Sequence, residues 1–523
     1  MAHFRGTKLT VLRHVRRAIV IAGATGMLMT VVSCAITATA PTFLGAAQAA
    51  TAPAIVPNPK VSGPIPWSLG IDEQPQTDNL FALPPFGYSE SEYFVSGTAS
   101  YRANSGSLGS ISNPESTAPA PYTIRMIVRQ PINPRRFNGT VVVEWNNVTA
   151  QMDETPIWDW TYPTVLREGF AYVMVSVQQA GICCSPLSLK VRDPIRYASL
   201  SQPGDGYAFS IFSQVLQSIR HPEGVDPLGG LQVKTLLAAG QSQSADELFD
   251  YVTSVNYAGL VNGFLLVGGG STTYPGGIPP AVPVMNVFDE WTAPSTPPNI
   301  STNYRLWEIA GASHVDYWID RQEFDDPQGV LVPGAGQRDP QWRAQEEELA
   351  GNYGYAYEPR EDSLVPGGNM FPNRYVMDNA LVWLNGWVID GASPPTVPML
   401  EFGNVTTSTP AGAPPGYDPV GAETTDQYGN ALGGYRLPVI TVPIATYVPT
   451  TGVFFGETVP FSPTLLHSLY PTHRDYVNDM QAATNAAIRA GLLLPWDAAD
   501  LMARAKASLI PQLEVSSPLP PTS

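Results

Sequence analysis

The stretch from Lys234 to Asn256 (KTLLAAGQSQSADELFDYVTSVN) constrains the chain more than any other. Thr235 to Ala239 form a short apolar run, and the chain turns at Gly240-Gln241-Ser242-Gln243-Ser244. The remainder reads as a helix with Leu248, Phe249 and Val252 on one face. A serine at the tip of a strand–turn–helix corner has the form of a nucleophile elbow. The tight turn lifts the hydroxyl off the sheet, and the helix N-terminus behind it offers N–H groups to a developing oxyanion. The common pattern G-x-S-x-G ends here in Ser244 instead of glycine. The plain alternative is a polar turn in an ordinary strand–loop–helix crossover.

The surroundings of this corner decide how much weight it carries. Strand-like alternation appears at Tyr93–Tyr101 and Tyr122–Val128, and near-continuous apolar runs follow at Gly139–Trp145 and Ala171–Val177. Helical patterns fall around Pro163–Glu168 and over Asp205–Ile219. Beyond the corner, Leu260–Val267, Val282–Phe288 and Tyr304–Ile309 read as three further strands, and Arg374–Trp387 as a helix closing the last side. Strands alternating with helices predict an α/β fold with a mostly parallel central sheet and helices on both faces. Two of the late strands run into polar chemistry: Asp289-Glu290 after one, and Ala310-Gly311-Ala312-Ser313-His314-Val315-Asp316 after the other. The order serine, acid, histidine, each at the carboxyl end of a strand, is that of the α/β-hydrolase fold.

Outside this unit the chain changes character. Residues 1–49 hold five Lys/Arg and no acid, an apolar stretch from Ala18 to Val32, and Ala47-Gln48-Ala49, the outline of a cleavable export signal. The apolar run is short for a stable membrane span. Val31-Val32-Ser33-Cys34 has the look of a lipoprotein box, which would leave a lipid on Cys34, so a secreted or cell-envelope location is expected. Arg16-Arg17 loosely resembles a twin-arginine signal. Without this segment the formal charge falls from −17 to −22, which argues against nucleic acid as a partner. Residues 50–85 read as an extended Pro/Ala-rich arm, 86–394 as the catalytic unit, and 319–370 within it as a surface excursion. Residues 395–523 read as an appended region, cap or buttress, with a β-like run at Leu437–Val442 and helices around Asp475–Ala490 and Asp497–Leu509. Cys183-Cys184 is either a vicinal disulfide or two buried thiols. No Cys or His spacing suggests a metal site, and no cofactor is expected.

The chain resembles a family of secreted bacterial proteins described as α/β-hydrolase-domain proteins. The resemblance rests on Asn138 to Val148 (NGTVVVEWNNV), Asp193-Pro194-Ile195-Arg196-Tyr197, Pro203-Gly204-Asp205, the G-x-S-Q-S corner, the Glu308 to His314 segment (EIAGASH) and Asp426 to Gly434 (DQYGNALGG). It extends over nearly all of the chain after the leader. It implies Ser242 as nucleophile and His314 as base, and an E-x-D segment in that family maps the acid to Glu290.

From the residues alone, Asp289, Glu290 and Asp316 compete to orient His314. Asp316 stands too near along the chain to reach round easily. His221, His467 and His473 lie in the wrong order or in the appended region. The oxyanion donors expected are the Gln243 N–H and a group near Asn147, in the loop after the Gly139–Trp145 strand; Asn146 and Asn147 also suit a plain turn. Trp145, Trp158 and Trp160 crowd that loop, as pocket walls or as core. The function expected is a serine hydrolase cleaving a small-molecule carboxylic ester through an acyl-enzyme. A retired hydrolase scaffold that only binds, or a cofactor-free lyase using the same groups, are the alternatives.

Overall fold

The computed structural model describes residues 56–511 except 72, 77–80, 103–116, 256–258, 278, 320–367, 404–422 and 451–453. The leader, with Cys34, and most of the 319–370 excursion lie outside the described residues. Strands β1 (Lys60–Ser62), β2 (Tyr88–Ala99), β3 (Ala120–Pro131) and β4 (Thr140–Trp145) are followed by helix α1 (Pro156–Glu168), β5 (Ala171–Val175) and α2 (Ala208–Arg220). Then come β6 (Thr235–Gln241), α3 (Gln243–Ser254), β7 (Gly263–Val267), β8 (Val284–Phe288), β9 (Tyr304–Glu308) and α4 (Asn373–Asp390). These strands form one nine-stranded sheet in the order β1-β2-β3-β5-β4-β6-β7-β8-β9. The pairs from β1 to β5 are antiparallel, and every pair from β5 through β9 is parallel.

Side-chain alternation along the central strands explains their unbroken apolar runs. Val141 and Val143 of β4, with Leu236 and Ala238 of β6, enter a core shared with α2 and α3. Val142, Leu237 and Ala239 face the other way, into a core shared with α1 and α4. A period of two with both faces covered demands apolar residues at every position.

Helix α1 is longer than its expected span because Pro163 does not break it. A proline there removes the N–H that would bond the Asp159 carbonyl; the indole Nε1 of Trp318 donates to that oxygen instead, at 2.5 Å. At the N-terminus of α1 the buried Glu144 carboxylate of β4 accepts the Ile157 and Trp158 N–H groups at 2.8 and 3.2 Å. That places a negative charge where the helix dipole favours it.

The expected arm joins the sheet through β1 and is held by the Asp193–Tyr197 segment. Arg196 donates to the Pro66 and Leu69 carbonyls and pairs with buried Glu92 at 2.6 Å, while Asp193 accepts from the Ile71 N–H. The late Asp426–Gly434 segment is likewise structural. Asp426 closes a turn onto the Tyr428 and Asn430 N–H groups, and Asn430 braces the strand β10 (Ala445–Val448).

The described part of 395–511 packs onto the sheet. Strand β10 pairs with β11 (Glu457–Pro460), and helices α5 (Pro463–Leu469), α6 (His473–Arg489) and α7 (Pro495–Ala507) follow. Leu466, Tyr476, Met480 and Leu501 belong to the same core as Met285 and Trp307. Tyr435 and Leu400 bond to Glu308 along the outer edge of β9, covering an edge that would otherwise be open. Leu437–Val442 is not a strand: Pro438 opens a short helical turn over Pro438–Thr441, since proline suits a first helical position and cannot donate to a ladder.

Arg374 of α4 pairs with Asp500 of α7 at 2.6 Å. Beside it, burial raises the Asp378 carboxyl to about 6, and burial together with the neighbouring Asp378 raises that of Asp497 to about 8. Acids whose folded pKa lies above the unfolded value, about 3.9, stabilise the fold fully at low pH and lose that contribution as pH rises through the folded pKa. Asp497→Asn is therefore expected to raise the melting temperature near pH 9 and to leave it nearly unchanged near pH 4. Thermal melts at the two pH values check this.

Candidate functional site

Strand β6 ends at Gln241, and Ser242 takes φ 56° and ψ −121° before α3 begins at Gln243. A left-handed backbone at a residue with a Cβ costs about 1–3 kcal/mol and persists only where the surroundings enforce it. Here the enforcing group is the serine that replaced the expected glycine. The Ser244 hydroxyl accepts from the Gln241 N–H and donates to the Gln241 carbonyl, both at 2.9 Å, so it staples the corner shut. Gly240 is needed for closeness: a Cβ there would lie 2.9 Å from the Ser244 backbone.

The corner aims Ser242 at His314, which follows β9. Ser242 Oγ lies 2.7 Å from His314 Nε2, and His314 Nδ1 lies 2.8 Å from Asp289 Oδ2. Asp289 follows β8, so the three groups stand at the carboxyl ends of three parallel strands, β6, β8 and β9. Thr292 fixes the carboxylate: its N–H donates to Asp289 Oδ1 at 2.9 Å and its hydroxyl to Oδ2 at 2.7 Å. An aspartate accepting from Nδ1–H leaves Nε2 as the acceptor facing the serine. Such a row can draw the proton from a serine hydroxyl as the oxygen attacks an electrophile. Ser242 is half-buried, whereas His314 and Asp289 are buried.

Glu290 does not take the position the resemblance implied. Consecutive residues at a strand end point to opposite sides, and Glu290 turns away to accept from the Gly311 N–H and to share a hydrogen bond with Glu423. Burial raises the Glu290 carboxyl. Burial and the neighbouring Glu290 push Glu423 up to about 11, so the pair holds a proton at neutral pH. Asp316 is also elsewhere, accepting from the Trp160 indole at 3.2 Å and the Ile319 N–H at 3.0 Å.

Gln243 occupies the first position of α3, where the helix's own ladder does not use the N–H. Its side chain donates to Gln178, which also accepts from Trp145, tying the ends of β4 and β5 to the corner. Asn147 differs from expectation. Its backbone N–H donates to the Glu154 carbonyl at 2.9 Å, and its amide donates to the Gln241 carbonyl and side chain at 2.9 and 3.1 Å. It braces the corner and closes its own turn, with its donors committed to those bonds. Trp145, Trp158 and Trp160 are fully buried core residues.

Three groups escaped the reading of the sequence. Gln241 Nε2 lies 3.2 Å from His314 Nε2 and bridges it to Asn147. Gly268, after β7, passes so near the row that a Cβ would sit 2.8 Å from His314 Cε1 and 3.0 Å from Asp289 Oδ2. The run Gly268-Gly269-Gly270 directly after an apolar strand was the available signal. Third, Trp291 and Phe454 flank the imidazole, with ring centroids 5.3 and 5.6 Å from it. Among the described residues, no group of three His, Cys, Asp or Glu side chains is placed to hold a metal, and no helix is long and apolar enough to cross a membrane.

A family model described as an alpha/beta hydrolase domain matches residues 61–503. No curated protein matches the chain. Among solved structures, esterase Est22 is 11% identical over 40% of this chain and 65% of its own, with a TM-score of 0.25. The match thus spans somewhat less than two thirds of that protein. Est22 with p-nitrophenol is 9% identical over 43% and 73%, with a TM-score of 0.27, and a thermophilic pNB esterase is 14% identical over 28% of each chain, with a TM-score of 0.19.

Gly268→Ala is expected to push the imidazole off Asp289 or Ser242 while leaving the core intact. A structure of the variant should show at least one of the two short contacts broken, and both contacts intact would contradict the packing argument.

Proposed function

We propose, from the premise that the chain belongs to the alpha/beta hydrolase domain family, that it is a serine hydrolase cleaving carboxylic esters through an acyl-enzyme. The observation that carries this reading is the row Ser242 Oγ–His314 Nε2–Asp289 Oδ2, with contacts of 2.7 and 2.8 Å. Ser242 Oγ attacks the ester carbonyl as its proton passes to His314 Nε2, and the negative charge forming on the carbonyl oxygen falls to the Gln243 N–H. Asp289 holds the ring in the tautomer that can accept, and stabilises the imidazolium. The imidazolium then gives its proton to the departing alkoxide. Water repeats the sequence on the acyl-serine, with His314 again the base, and releases the acid.

The reading includes export. The basic leader and the A-x-A site at Ala47-Gln48-Ala49 support it, as does the Cys183–Cys184 disulfide, since such bonds persist in oxidising compartments. The substrate is accordingly a small-molecule ester met outside the cytosol.

Steady-state hydrolysis of p-nitrophenyl butyrate tests the assignment. Ser242→Ala and His314→Ala are each expected to lower kcat/KM by about 10³-fold or more. Asp289→Asn should cost about 10²-fold or more by leaving the imidazole in the wrong tautomer. Glu290→Gln should stay within about tenfold of wild type, because its carboxyl faces Gly311 and Glu423 rather than the ring. A Ser242→Ala protein with wild-type turnover, or a Glu290→Gln loss matching that of Asp289→Asn, would overturn the reading.

A further inference from the structure

We infer that Trp291 and Phe454 form the recognition wall of the site, and that it takes an ester carrying a neutral, planar aromatic group. This rests on the serine-hydrolase reading above. Trp291 follows the acid turn directly, while Phe454 comes from the region between β10 and β11. Val315 holds it there by donating its N–H to the Phe454 carbonyl at 2.9 Å, beside a bridge between Val315 and Phe455. The Phe454 ring lies nearly parallel to the imidazole at 29°, the Trp291 ring stands on it at 71°, and the two aromatic rings meet at 88° with centroids 5.8 Å apart.

Trp291 and Phe454 are only half-buried, as is Ser242, in contrast to the three tryptophans of the core. Two residues with large apolar rings therefore keep some accessible surface beside Ser242, itself half-buried. Rings at right angles present an edge and a face together. Those are the two surfaces against which a third ring packs best, because the quadrupole favours edge-to-face and offset contacts. A flexible alkyl chain gains area there but not that geometry. A cationic group would suffer as well: the imidazole against which both rings pack becomes positive when it takes the serine proton, and like charges at that distance repel. A neutral aromatic group fits both constraints.

The ring can belong to the acyl or to the alcohol half of the ester, and the assay separates them. Proton release is followed for four substrates: ethyl 3-phenylpropanoate and ethyl 3-cyclohexylpropanoate on the acyl side, benzyl butyrate and cyclohexylmethyl butyrate on the alcohol side. The wild type is expected to favour the aromatic member of one pair by about tenfold or more in kcat/KM. In Trp291→Ala and Phe454→Ala that ratio should fall to about threefold or less, whatever happens to the absolute rate, and Trp291→Phe should restore most of it. Comparing ratios within each variant cancels losses from a disturbed His314 or from partial unfolding. A wild type with no aromatic preference in either pair, or a preference that survives in both alanine variants, overturns the recognition wall and leaves the hydrolase reading standing. A wild type that turns over p-nitrophenyl butyrate but none of the four overturns the recognition wall alone, and one that turns over none of the five overturns the hydrolase reading and this one with it.

Discussion

The backbone at Ser242 cannot relax without dissolving the site. A residue with a Cβ at φ 56° sits there because β6 is locked between two parallel neighbours, α3 starts at once behind it, and the Ser244 hydroxyl closes both backbone groups of Gln241. The strain points the hydroxyl out of the sheet toward His314. In this corner a side-chain hydrogen-bond pair does the work that close packing on a glycine does in the common pattern. The same residue that weakens the motif as a pattern strengthens it as a structure.

The neighbouring elements serve that corner. Asn147 reaches from the end of β4 to hold Gln241, Gln178 reaches from the end of β5 to hold Gln243, and Gly268 gives up its side chain so that the imidazole can lie against β7. Each contact comes from the carboxyl end of a strand, where an open α/β sheet gathers its functional groups. The region after α4 also contributes to the site. It seals the edge of β9, fills one core, and delivers Phe454 to the imidazole.

Much of this was legible before the structure, and what was not has a physical reason. The strands around Ser242 were readable because burial on both faces favours near-continuous apolar runs, and the corner was readable because a strand must stop before a helix can start. Asp289 and Glu290 could not be separated from residue types alone. Adjacent carboxylates at a strand end leave on opposite sides, and only the direction of β8 decides which one meets the ring. The Thr292 contacts that settle it are local, but they become visible only once the turn is built. Trp145, Trp158 and Trp160 could be pocket walls or core from their place in the loop after β4, and each belongs to the core. Phe454 gave no signal at all, since its place depends on how a distant hairpin packs. The quoted motifs Asp193–Tyr197 and Asp426–Gly434 prove to be braces for the arm and for β10, so a shared pattern can mark architecture as well as chemistry.

The central claim is that the Ser242 hydroxyl is activated by the ring beside it. Treating the folded protein with a fluorophosphonate and mapping the modified peptide by mass spectrometry tests that most directly, because an unactivated serine does not react. The account predicts one equivalent of phosphonate, on Ser242, with labelling abolished in His314→Ala. Folded protein that remains unlabelled, or that carries the adduct on another residue, would contradict it.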